Sequence, residues 1–96
     1  MLFLANRAPS ESNLENKIRI FRDGNDALIM FEDATLACID KSLVNKLLNM
    51  NVKLYALSAD LEARGIKDEK CEEVQLIDYG IAIELIMERY EKNISI

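Results

Sequence analysis

The chain has 96 residues, half of them apolar and 30% charged, with no His, no Trp and a formal net charge of −5. That length fits one domain with a modest core and excludes two independent ones, and the composition is that of a globular rather than a disordered protein. Its 12 Lys and Arg residues are scattered among 17 Asp and Glu residues, which argues against direct nucleic-acid binding, because that rests on clustered cations facing phosphates.

In chain order, Met1 to Ala5 reads as a first strand, ended by the loop Arg7-Ala8-Pro9. This run is too short, and too quickly interrupted by Asn6 and Arg7, for a signal peptide. No apolar run approaches the roughly 18 residues of a membrane helix, so a cytoplasmic location without membrane attachment is expected. Ser12-Asn13-Leu14-Glu15 matches a capping box, in which the hydroxyl and the carboxylate each satisfy an orphaned backbone donor. The helix it predicts buries Leu14, Ile18 and Phe21 on one stripe and stops at Asp23-Gly24-Asn25-Asp26.

Ala27 to Phe31 is continuously apolar and predicts a second, buried strand, followed by the acidic pair Glu32-Asp33. A second helix begins with the small apolar stretch Thr35 to Ile39. It is interrupted at Asp40-Lys41-Ser42, resumes with Leu43, Val44, Leu47 and Leu48, and closes at Asn49 to Asn51. Val52 to Leu57 carries one charge, Lys53, which suits a strand buried on both faces of a parallel sheet. A helix follows at once: Ser58 is its cap, Asp60 places a carboxylate near its positive end, and Gly65 stops it by adopting φ > 0. Ile66 to Glu73 predicts a charged loop with Cys71 exposed, Val74 to Ile77 a fourth strand, and Asp78 the cap of a last helix from about Tyr79 to about Lys92.

Four strands alternating with four helices predict a single α/β domain over residues 1–96, with a mostly parallel sheet and right-handed crossovers. In the last helix Ile81, Ala82, Ile83, Leu85, Ile86, Met87 and Tyr90 spread over an arc of roughly 240°, wider than one sheet face covers. Ile81, Ile83, Leu85, Met87 and Tyr90 are therefore expected at an oligomer or complex interface.

Gly24, Gly65 and Gly80 are dispersed, and the chain has no phosphate loop, nucleophile elbow or paired-cysteine motif. No cofactor is expected, and no metal site either, since Cys38 and Cys71 stand far apart with no His to complete a set. Free thiols in a reducing compartment are the default for the pair, with a bridge between them left open. Each thiol is a candidate sulfur nucleophile, weighed against a small buried thiol at Cys38 and an incidental surface thiol at Cys71, whose neighbouring carboxylates raise its pKa. Ligands of parallel sheets sit beyond the carboxyl ends of the strands. Here that rim comprises Arg7, Glu32, Asp33, Ser58, Asp60, Arg64 and Asp78, and helix capping is the plainer reading of Asp33, Ser58 and Asp78.

Three blocks give the chain a resemblance to the TusB/DsrH family of sulfur-relay proteins. Leu28 to Ala37 has the apolar strand, acidic pair and small residues; Leu54-Tyr55-Ala56-Leu57 with Asp60-Leu61-Glu62-Ala63-Arg64-Gly65 is the most specific; Ile77-Asp78-Tyr79 opens the last helix. Asn6 to Pro9 is a weaker echo. The resemblance implies a three-layer domain with four sequential parallel strands, order 1-2-3-4, and the fourth helix alone on the opposite face. It also implies a small subunit working with TusC/TusD-like or DsrE/DsrF-like partners. Such complexes pass persulfide sulfur onward for thiolation of the tRNA wobble uridine or for sulfur oxidation. The chain departs from the family in having Ala34 for a Gly and Ala8 for a Ser, in lacking a terminal Trp, and in carrying Lys17 where some members have a cysteine. These departures favour a non-catalytic, complex-forming subunit. The alternatives are a sulfurtransferase using Cys38 or Cys71 as persulfide carrier and a stand-alone homodimer.

Overall fold

In the computed structural model, which describes residues 1–96, four apolar segments pair as parallel strands: β1 (Leu2–Ala5), β2 (Asp26–Met30), β3 (Val52–Leu57) and β4 (Gln75–Ile77). A fifth strand, β5 (Asn93–Ser95), lies parallel to β1, so the sheet order is β4-β3-β2-β1-β5. The expected sequential order of the first four holds, but the expected count of four strands is corrected to five. Leu2 N–H donates to the Lys92 carbonyl at 3.0 Å, and Ile96 N–H donates to the Leu4 carbonyl at 2.8 Å. Backbone groups of β1 that a four-stranded sheet leaves open at its edge are thereby paired. Ile94 and Ile96, two residues apart, share one face of β5 and pack against the larger core cluster.

Alternation along the strands divides the core in two. Phe3, Ala5, Leu28, Met30, Leu54 and Ala56 point to one face. There they meet Leu14 and Ile18 of α2 (Leu14–Phe21), Val44 and Leu47 of α3 (Lys41–Asn49) and Leu61 of α4 (Ser58–Ala63). Leu2, Ala27, Ile29, Tyr55, Leu57 and Ile77 point the other way and meet only Ala82 and Leu85 of the last helix among fully buried partners. That helix, α5, runs over Tyr79–Glu84 and continues as a π-helical turn over Leu85–Arg89. It ends before Lys92, the expected limit, because residues 93–95 are taken up by β5.

The capping box is a second correction. Pro9, with its fixed φ, starts a short helix, α1 (Pro9–Ser12), one turn earlier. Asn13 then adopts the left-handed conformation at φ 48° and links α1 to α2 with no side-chain cap. Ser12 closes α1 instead of opening α2, and its hydroxyl is buried without a hydrogen-bond partner. Phe21, expected on the buried stripe, is 46% exposed at the end of α2, and Leu48 of α3 is 37% exposed.

The break at Asp40 is real. Glu32–Ile39 forms a 3-10 helix, and Asp40 then caps α3, its carboxylate accepting from Leu43 N–H at 3.1 Å. Gly65 ends α4 at φ +70°. Its N–H donates to the Glu62 carbonyl and that of Ile66 to the Leu61 carbonyl, both at 3.0 Å, the paired bonds of a Schellman stop.

Candidate functional site

The carboxyl ends of β1 and β2 and the start of α4 enclose a cleft of about 300 Å³ lined by Asn6, Phe31, Glu32, Asp60, Tyr79 and Ser95, among others. Glu32 stands in the left-handed region at φ 46°, which is strained for a residue with a Cβ. Asp60 holds it there: its Oδ2 accepts from Glu32 N–H at 2.6 Å, tying the β2 exit to α4. Asp33 lies beside them, accepting from Arg64 through both Nε and Nη2 at 2.9 Å. Arg64 also donates through Nη1 to the Asp60 carbonyl at 3.1 Å. Asp33 is 63% exposed, so this pair orients more than it stabilises.

The other rim residues are used elsewhere. Ser58 is not the cap expected: α4 starts at Ser58 itself with no side-chain cap, and Ser58 Oγ donates instead to the Ile77 carbonyl at 3.4 Å, joining the ends of β3 and β4. Asp78 caps α5 by accepting from Ile81 N–H at 2.9 Å. Arg7 opens onto a separate groove with Lys17 and Phe21. Of the expected rim, the structure thus gathers Glu32, Asp33, Asp60 and Arg64, and separates Arg7. The cleft is lined by the carboxylate-bearing Glu32 and Asp60, the amide-bearing Asn6 and the hydroxyl-bearing Tyr79 and Ser95, a polar rim beside Phe31. Asp60→Ala is expected to cost about 1–2 kcal/mol in urea unfolding by freeing the strained Glu32 amide, whereas Asp60→Asn, which keeps an acceptor, costs less.

The two thiols lie away from this rim. Cys38 is at the inner side of the 3-10 helix and Cys71 at the end of a short 3-10 turn, Asp68–Lys70, ahead of the amino end of β4. Both belong to the same core cluster, at 0% and 2% exposure, close enough for each to shift the other's pKa. Cys71 is therefore not the surface thiol expected. Its N–H donates to the Asp68 carbonyl at 2.9 Å and its carbonyl accepts from Val74 N–H at 3.1 Å, a turn that sends the charges outward and the sulfur inward. Lys41 Nζ straps this turn, donating to the Lys70 carbonyl at 3.1 Å and to Glu73 at 3.2 Å.

Burial pushes the Cys38 thiol far up, and the adjacent Cys71 raises it further. Burial also raises Cys71, against smaller opposing effects of Cys38 and the Lys41 ammonium. The expected direction for Cys71 holds, but its main cause is desolvation, with Asp68 and Glu73 contributing less. No group of three or more His, Cys, Asp or Glu side chains is arranged to hold a metal ion, and no helix is long and apolar enough to cross a membrane.

The apolar arc of the last helix divides cleanly. Ala82 and Leu85 are buried against the sheet, so Leu85, expected at an interface, is a core residue. Tyr90 and Ile86 are half-buried against the same cluster. On the outer side Tyr79, Ile83 and Met87, spaced i, i+4, i+8, are 58%, 59% and 75% exposed, with Ile81 at 37%. Tyr79 also lines the strand-end cleft, which joins the apolar stripe to the polar rim. Sequence reasoning missed Tyr79 as a member of this stripe, although the four-residue spacing was there to find.

Residues 7–92 match the family described as "DsrH like protein". The chain is 33% identical over 96 residues to "Protein TusB" of Serratia proteamaculans, covering 99% of each chain. It is 30% identical over 93 residues to "Protein TusB" of Photorhabdus laumondii, covering 96% of this chain and 97% of that one. Among solved structures, the ychN protein from E. coli superposes with a TM-score of 0.79 at 19% identity, over 99% of this chain and 97% of that one. That likeness concerns the fold.

Proposed function

Because the chain belongs to the DsrH-like family, we propose that it is a non-carrying subunit of a cytoplasmic sulfur-relay complex serving tRNA wobble uridine 2-thiolation or sulfur oxidation. In this reading it is one domain that docks a TusC/TusD-like or DsrE/DsrF-like partner on the exposed side of α5. It thereby holds the persulfide cysteine of a neighbouring chain near the strand-end rim. The observation that carries the reading is the burial of both thiols, at 0% and 2% exposure. A sulfur carrier needs an accessible thiolate, and burial has pushed both of these groups toward the neutral form. The same observation disfavours a sulfurtransferase acting through Cys38 or Cys71.

The apolar stripe Tyr79-Ile83-Met87 supports the docking part, because it adjoins the rim through Tyr79 and lies on a helix with no neighbouring helix on its face of the sheet. Purification under native conditions from cells is expected to recover the chain in a larger assembly with a related chain that bears an accessible cysteine. Recovery of a lone monomer would reject the proposal.

A further inference from the structure

The two cysteines are the only ones in the chain, stand 33 positions apart, and are brought together by the fold inside one core cluster. Segments 38–41 and 70–73 are also tied directly by Lys41, which reaches the Lys70 carbonyl and the Glu73 carboxylate. The turn that carries Cys71 is otherwise superficial, with Asp68, Glu69 and Lys70 all exposed. Cys71 itself is 2% exposed, so a reagent reaches its sulfur only through a local opening of that turn. The function proposed above uses neither thiol.

We infer that Cys38 and Cys71 form a dithiol that closes to an intrachain disulfide when a persulfide donor reaches it, so that this subunit discharges sulfane sulfur as hydrosulfide instead of storing it. The donor class rests on the sulfur-relay reading; the proximity of the thiols does not. Cys71, at the base of the surface turn, attacks first as the thiolate. It takes the outer sulfur of the donor R–S–SH, breaking the donor S–S bond and releasing RSH, to give Cys71–S–SH. Cys38 then attacks the inner sulfur, breaking the S–SH bond. Hydrosulfide departs with the proton that Cys38 gives up, and the Cys38–Cys71 bond forms. In balance, one persulfide and two thiols give one thiol, one hydrogen sulfide and one disulfide: the cysteines are oxidised by two electrons and the donor sulfur is reduced. The elevated pKa values set by burial make the closure slow in the closed chain and dependent on opening of the turn.

The test is intact mass after anaerobic incubation of the whole reduced chain with glutathione persulfide, quenched in acid and followed by peptide mapping without reduction. The expected product has lost the mass of two hydrogen atoms, contains a linked Cys38–Cys71 peptide pair, and appears with one equivalent of hydrosulfide. Cys38→Ala is expected to trap the added sulfur atom on Cys71, which shows that the second thiol is what discharges it. If the native chain gains and keeps a sulfur atom with no linked pair, the dithiol inference fails, and the non-carrying reading fails with it. If its mass is unchanged over an interval in which the urea-unfolded chain reacts completely, the dithiol inference alone is overturned and the non-carrying reading stands.

Discussion

Leu85→Ala is expected to destabilise the protein by about 2–5 kcal/mol, as for other fully buried leucines, and to lower the melting temperature by at least about 10 °C in a domain of this size. Met87→Ala, two residues away on the same apolar arc, is expected to change stability by no more than about 0.5 kcal/mol. The contrast follows from exposures of 1% and 75%. Leu85 belongs to the small core cluster on a sheet face whose only buried helical residues are Ala82 and Leu85, so little else is available to relax into the gap. Thermal melts of the two variants at one protein concentration check this; equal losses would mean that the two sides of the helix are not divided as described.

That division shows where sequence reasoning reached its limit. A helical wheel records that the arc is too wide for one sheet face, but not which side turns inward. The inward side is decided by the sheet surface it meets, here the cluster of Leu2, Ala27, Ile29, Tyr55, Leu57 and Ile77 that Ala82 and Leu85 join. The first three strands and the Gly65 stop were legible because each combines an apolar run with a terminating residue. Strand β5 was not: three residues with one half-buried isoleucine carry no strand signal until β1 presents an open edge. Ser12-x-x-Glu15 misled because Pro9 had already begun a helix upstream. Cys71 misled because loop composition reports the average exposure of a segment and not the one side chain that its turn tucks inward.

Of the rim, the acidic residues were legible as a group because a parallel sheet puts its strand ends together. The cap of α5 by Asp78 was legible too. Asp60 restraining the left-handed Glu32, and Arg64 pairing with Asp33, become visible only with the hydrogen bonds in hand.

The second large effect concerns association rather than stability. Replacing Ile83 and Met87 together by glutamate is expected to leave the fold intact, since both side chains are already mostly in water, at 59% and 75% exposure. The same pair of changes is expected to weaken binding to the partner by roughly 100-fold or more, because two buried apolar side chains of about 1.5–3 kcal/mol each are lost and two charges are placed in a dry contact. The most direct measurement is sedimentation velocity of the wild-type chain and of the Ile83→Glu/Met87→Glu variant, each mixed with a TusC/TusD-like partner, with circular dichroism to confirm folding. The wild type is predicted to sediment with the partner, and the folded variant as a free chain. Undiminished co-sedimentation of the folded variant would contradict the account of α5 as the docking face.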